Sequence, residues 1–264
     1  MAIDENSKVW DGVFATFAEA APDGTVFEEA IWLDKIAERC RQLSNASGEN
    51  DAVAPVAVTR DYALPFVAAC AAPHAGPLRI LDFGGGMGTT FLPLVKMLAP
   101  DQPIDFVIVE NAAVCSAGRD FFKHDSRITF REQVPGADEY FDIVHCGSSL
   151  HYVDDWEAML DKLAALRPEY LLFADLPAAE NPSFVTSQIF HGKSIPVHFW
   201  NFREFVAAVE ARGFTLAFRS RYQGYYLPQN ATPPVANFDA AHRLRYFCQL
   251  IFRRTNPDLD APTN

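Results

Sequence analysis

The residues best suited to chemistry stand together in Ile80-Leu81-Asp82-Phe83-Gly84-Gly85-Gly86-Met87-Gly88 and, further along the chain, at Glu110. Glycines at 84, 86 and 88 let backbone approach a ligand with no Cβ in the way. A helix opening just beyond them presents free N–H groups. Glu110 closes the next apolar run, where a carboxylate can accept hydrogen bonds from both hydroxyls of a ribose. Together these residues imply a nucleoside cofactor. Their spacing selects among such cofactors. The dinucleotide fingerprint G-x-G-x-x-G has no frame here, since Gly84-x-Gly86 leads to Thr89 and Gly86-x-Gly88 to Phe91. What stands instead is acid-x-G-x-G-x-G, with Asp82 as the acid. A carboxylate at the turn is poor company for a pyrophosphate and suits a ligand carrying an ammonium or a sulfonium.

The elements that must position these residues read as alternating strands and helices, the pattern of a parallel, doubly wound sheet. Strands are expected at 78–83, 104–109, 127–130, 141–146, 170–174, 214–218 and 244–252. Helices are expected at 90–98, 112–123, 155–166 and 202–212, the last closed by Gly213. Pro93 should bend the first of these helices or shift its onset. In an open parallel sheet, ligands bind beyond the carboxyl ends of the strands, beside the first one. The residues following the first, second, fourth and fifth strands therefore converge on one crevice. Residues 1–75 do not read as sheet: 10–14 is an aromatic-bracketed turn, and helices are expected at 27–43 and 62–71. This N-terminal segment packs over the open end of the sheet, as a lid over the cofactor or as a structural extension. The expected division is 1–75 as a helical extension, 76–254 as the cofactor-binding domain, and 255–264 as a frayed tail.

The acid-x-G-x-G-x-G turn with Glu110 after the second strand resembles the first motif of class I S-adenosylmethionine (SAM) dependent methyltransferases. That resemblance implies a Rossmann-like seven-stranded α/β sheet with helices on both faces and its last strand inserted antiparallel. Trp10-x-Gly12-x-Phe14, Arg60-Asp61-Tyr62-Ala63-Leu64, Asp175-x-Pro177, Ser187-Gln188, Ser194-Ile195-Pro196 and Ile251-Phe252-Arg253-Arg254 recur with it. This combination resembles a small family of methyltransferases of undefined acceptor, some encoded among surface-polysaccharide genes. The chain carries Leu176 where relatives are expected to have a basic or polar residue between Asp175 and Pro177.

Methyl transfer from a sulfonium is an in-line displacement. The protein must align acceptor and methyl group, exclude water and, for an oxygen acceptor, remove a proton. The expected cofactor contacts are Asp82, Gly84, Gly85, Gly86 and Gly88 in the turn and Glu110 with Asn111 after the second strand. Gly147 and Ser148 after the fourth strand complete them. His151 and Asp175 are the expected catalytic residues on the acceptor side, with His191 and His198 as further candidate bases. The stretch 191–200 can wall an acceptor pocket or serve as core, and Tyr222, Tyr225 and Tyr226 raise the same choice. The resulting reading is SAM-dependent transfer to an oxygen or nitrogen of a small-molecule or carbohydrate-like acceptor. A non-catalytic SAM-binding partner protein and an NAD-dependent oxidoreductase or epimerase are the alternatives.

Bulk properties bound these readings. The net charge of -12 argues against a nucleic-acid backbone as substrate. The 5 cysteines are scattered without C-x-x-C spacing, as in reduced intracellular proteins. No signal peptide is visible, no apolar run approaches the ~20 residues of a membrane span, and His191 and His198 lack a close zinc-ligand spacing. A cytoplasmic protein without metal or membrane insertion is expected. Oligomeric state and acceptor identity are left open.

Overall fold

The computed structural model describes residues 8–20, 27, 30–45, 62–71, 76–190, 192–222 and 232–255. Seven strands form the main sheet: β2 (Leu78–Phe83), β3 (Ile104–Val109), β4 (Ile128–Arg131), β5 (Ile143–Gly147), β6 (Tyr170–Leu176), β10 (Phe214–Arg221) and β11 (Cys248–Arg254). Their order is β10-β11-β6-β5-β2-β3-β4. The five strands from β6 to β4 run parallel, and β11 lies antiparallel between β6 and β10.

Apolar runs in these strands follow from burial on both faces. Val107, Val144, Leu171 and Phe173 point to one side, against Leu160 and Leu163 of α5 (Trp156–Ala165) and Phe205 and Val209 of α6 (Phe202–Glu210). Phe106, Ile108, Ile143 and Leu172 point to the other. There they meet α2 (Ala63–Ala71), α3 (Phe91–Met97) and α4 (Ala112–Phe121). Side-chain oxygens start three helices, each accepting backbone N–H groups of the first turn: Asn111 for α4, Asp155 for α5 and Asn201 for α6. Pro93 neither bends α3 nor delays it. As third residue of a helix that starts at Phe91 it falls among the N–H positions that lack an intrahelical partner, and the helix is short.

The N-terminal segment departs from the helical expectation. It holds α1 (Ala30–Asn45) and α2, but residues 10–14, expected as a turn, form a strand, β1 (Trp10–Phe14). β1 pairs antiparallel with β8 (Phe184–Phe190), β8 with β9 (Lys193–Asn201), and β9 runs parallel to β7 (Ala178–Ala179). This second sheet is an excursion between β6 and α6 completed by the chain's beginning. Trp10 anchors it, 3% exposed, with Phe199 at 5.7 Å and Phe247 at 5.4 Å between ring centroids.

α1 lies across the entrance of α3 and α4. Ile36 and Cys40 pack with Met87 and Val114, and the Cys40 thiol donates to the Met87 carbonyl at 3.1 Å. Lys96 Nζ donates to the Leu43 carbonyl near the end of α1 at 3.0 Å, meeting one of the oxygens a helix terminus leaves over. The glycine turn is thus roofed by a helix that the sequence left free to be lid or extension. Among the described residues, no helix is long and apolar enough to cross a membrane.

Candidate functional site

The turn after β2 is held from below. Asp82 is fully buried; its Oδ1 lies 2.8 Å from His145 Nδ1 on β5, its Oδ2 accepts the Thr90 hydroxyl, and Gly85 sits over it so closely that a Cβ would strike the carboxylate. Asp82 lines neither cavity described below. Against the expected direct contact with a cationic ligand, both carboxylate oxygens are engaged within the protein, by His145 and Thr90, and hold the turn from beneath. Gly88 also works from behind, where a Cβ would press on Phe122 and Ile128.

Gly86 is different. Its φ is +58°, and a Cβ there would meet nothing within 4 Å. No protein atom explains a glycine at this place; the backbone conformation and open space in front of it do. The Gly86 N–H donates to Glu110 Oε1 at 3.1 Å, and the Asn111 N–H to Oε2 at 3.1 Å. Glu110 is thereby aimed by the turn it faces. Burial raises its pKa, and the two N–H donors act in the opposite sense. Each carboxylate oxygen retains a further lone pair for a ligand hydroxyl.

Two cavities flank this arrangement. The larger, of about 590 Å³, has Phe83, Gly84, Glu110, Asn111, Glu132 and Ser149 on the side of the strand ends. Facing them are Phe27, Trp32 and Lys35 from the N-terminal segment and Gln188, Phe190 and Ile195 from the second sheet. The smaller, of about 230 Å³, is lined by Arg39 of α1, by Thr89, Thr90 and Gly147, and by Asp175 and Tyr222. Ser148 lines both.

Ser148, just after β5, and Asp175, the penultimate residue of the neighbouring β6, both have φ of +53°. The Ser148 N–H donates to the Ala174 carbonyl at 3.0 Å, and its hydroxyl donates to Asp175 Oδ2. Left-handed backbone outside glycine costs on the order of 1–3 kcal/mol per residue and persists where the surroundings enforce it, often at functional sites. Here two such residues lock onto one another at the boundary of the two cavities. Asp175 lines the smaller cavity together with Thr89 and Thr90, which follow the glycine turn.

His151 sits in a single 3-10 turn, Leu150–Tyr152, 4% exposed, and lines neither cavity. Burial, with His198 nearby, pushes its pKa down to about 3. The neighbouring Tyr152 stands in the wall of the larger cavity. His198 is spent on the Asp154 carbonyl at 3.0 Å and stacks on Trp200. His191, Tyr225 and Tyr226 lie outside the described residues. Of the residues 191–200, Ile195 walls the larger cavity, while Val197, Phe199 and Trp200 are buried in the core.

Sequence reasoning placed the N-terminal segment over the sheet but did not single out the side chains that face the cavities. Trp32, Lys35, Arg39, Gln188 and Phe190 reach the cavities from elements distant in the chain. Only Gln188, within the recurring Ser187-Gln188, had carried a signal.

Comparisons place this architecture. A family described as a methyltransferase domain matches residues 57–217, more than half of the chain. The chain belongs to that methyltransferase family. A search of curated proteins found no match. Among solved structures, this methyltransferase is similar to magnesium protoporphyrin IX methyltransferase from Synechocystis PCC 6803, a structure with bound SAM, at 15% identity and a TM-score of 0.51. The alignment covers 88% of this chain and 100% of that one. It is also similar to 1,6-didemethyltoxoflavin-N1-methyltransferase from Burkholderia thailandensis, at 15% identity and TM-score 0.50, covering 97% and 99% of the two chains. A third structure, the cyclase SpnF, reaches TM-score 0.55 at 14% identity over 92% and 97%. At such identities these likenesses bear on the fold alone. Among the described residues, no cluster of His, Cys, Asp and Glu is arranged to hold a metal ion.

Proposed function

We propose that this protein is a SAM-dependent methyltransferase acting on an oxygen or nitrogen of a small-molecule acceptor. The observation that carries the reading is the pairing of Gly86 with Glu110. A glycine with open space before it holds, through its own N–H, a carboxylate at the edge of a cavity of about 590 Å³. This fits a nucleoside: backbone passes close beneath it, and Glu110 takes the ribose hydroxyls. Gly84, Asn111 and Ser149 border the same space, and Gly147 and Ser148 extend it into the smaller cavity.

SAM supplies a methyl group on a sulfonium, which an acceptor lone pair displaces to leave S-adenosylhomocysteine. The chain's residues hold and shield. α1 and the β8–β9 hairpin cover the crevice and keep water from the reacting atoms. Asp175 receives the acceptor proton, and Ser148, hydrogen-bonded to it at the boundary of the cavities, fixes its orientation. His151 has no part in transfer. The carbohydrate-like acceptor implied by the resemblance to polysaccharide-cluster methyltransferases belongs to the same reaction class, differing only in what fills the roofed cavity.

The dehydrogenase alternative lacks the dinucleotide spacing, and the methyltransferase family match weighs against it. Mass spectrometry of the purified protein under non-denaturing conditions tests the reading. SAM or S-adenosylhomocysteine carried through purification is the expected finding; a co-purified nicotinamide dinucleotide overturns it.

A further inference from the structure

The wall opposite Glu110 is aromatic, and it lies on α1, the turn after β5 and the β8–β9 hairpin rather than on the strand ends that carry Glu110. Phe27 lies 5.3 Å from Trp32 and 4.9 Å from Tyr152, and Trp32 lies 5.7 Å from Phe190, all edge-to-face. These four rings form a continuous surface made by three separate parts of the chain. Lys35 completes it. Its Nζ stands 5.9 Å from the Trp32 ring centroid and 5.0 Å from that of Phe190. The described residues give this ammonium ring faces and no carboxylate partner. Burial of part of the side chain lowers its pKa, while an exposed face leaves room for an anion to approach the ammonium.

Resting on the methyltransferase reading, we propose that the acceptor is a planar aromatic compound carrying an anionic group, its ring against Trp32 and Phe190 and its anion at Lys35. Ring faces prefer offset or edge contact with other rings and supply large contact area. A single fixed ammonium then sets which end of the molecule faces outward. The uncharged donors and acceptors of this wall are few. The Tyr152 hydroxyl donates to Gln188 Oε1 at 2.6 Å, so these two polar groups are largely satisfied by one another. A neutral sugar, whose hydroxyls all need partners, would leave several of them unmet here. Ser148 lines the same cavity as Lys35 and donates to Asp175, so a hydroxyl or amine on the end of the arene that faces Ser148 would be the methylated group.

The test measures binding of para-hydroxybenzoate and para-coumarate to the full chain saturated with S-adenosylhomocysteine, alongside their neutral carboxamides and methyl glucoside. Calorimetry and tryptophan fluorescence report independently. The carboxylates should bind at least ten-fold more tightly than the amides. With each variant saturated in S-adenosylhomocysteine, Lys35→Met should erase that preference and Trp32→Leu should weaken acids and amides alike. Equal binding of acid and amide, binding of the glucoside alone, or no arene binding to a protein that does bind S-adenosylhomocysteine would each overturn the proposal. Failure to bind S-adenosylhomocysteine would instead sink the cofactor reading on which it rests.

Discussion

Glu110 carries two opposite pH dependences. Burial raises its pKa, so the folded chain holds that proton more tightly than the unfolded chain does. Its contribution to stability is present at low pH and is lost as pH rises from the ordinary glutamate value through the folded one. Ligand affinity moves the other way, because ribose hydroxyls donate to the ionised carboxylate. S-adenosylhomocysteine affinity should therefore weaken as pH falls through a value above the usual glutamate range, and Glu110→Gln should flatten that profile in calorimetry. Glu110→Ala removes charge-assisted hydrogen bonds of ~1.5–3 kcal/mol, roughly a 10- to 150-fold rise in Kd. Asp175→Asn separates chemistry from backbone, since asparagine tolerates positive φ much as aspartate does. Turnover on an identified acceptor should drop ~10²–10⁴-fold, with Tm and S-adenosylhomocysteine affinity held. Full turnover in that variant would make Asp175 structural.

At the scale of elements, the glycine turn and the second sheet make separable predictions. Gly86→Ala puts a Cβ into left-handed backbone at about 1–2 kcal/mol, in open space beside the N–H that holds Glu110. Thermal unfolding should register the modest stability loss, while Kd for S-adenosylhomocysteine rises far more than the Tm shift accounts for. Trp10→Ala, by contrast, empties the joint between β1, β9 and Phe247. A loss of ~3–5 kcal/mol is expected, as for buried aromatic truncations generally, and denaturant titration checks it. β1 and the β8–β9 hairpin were also what the sequence hid. Trp10-Asp11-Gly12-Val13-Phe14 offers no self-contained strand signal, because its partner β8 stands far along the chain and Gly12, with φ of +78°, breaks the pairing register. β2 and β3, buried on both faces, matched their expected bounds, since continuous apolar runs ending in glycine or an acid mark both ends of a strand.

The whole molecule is a seven-stranded methyltransferase sheet whose cofactor edge is roofed by its own first helix and by a hairpin inserted after β6. The floor of the crevice was legible because local spacing sets it: glycines at the end of β2, an acid after β3, Ser148 after β5 and Asp175 near the end of β6. The roof was not, since Lys35, Gln188 and Phe190 meet only through tertiary packing. The surroundings of Asp82 and His151 were hidden for a related reason: position in the chain located their strands, but their burial follows from tertiary packing. Calorimetric titration of the full chain with S-adenosylhomocysteine and with NAD bears on the central claim most directly. Saturable binding of S-adenosylhomocysteine, lost in Glu110→Ala, with no comparable affinity for NAD is the predicted result. Tighter binding of NAD, or S-adenosylhomocysteine affinity unchanged by Glu110→Ala, would contradict it.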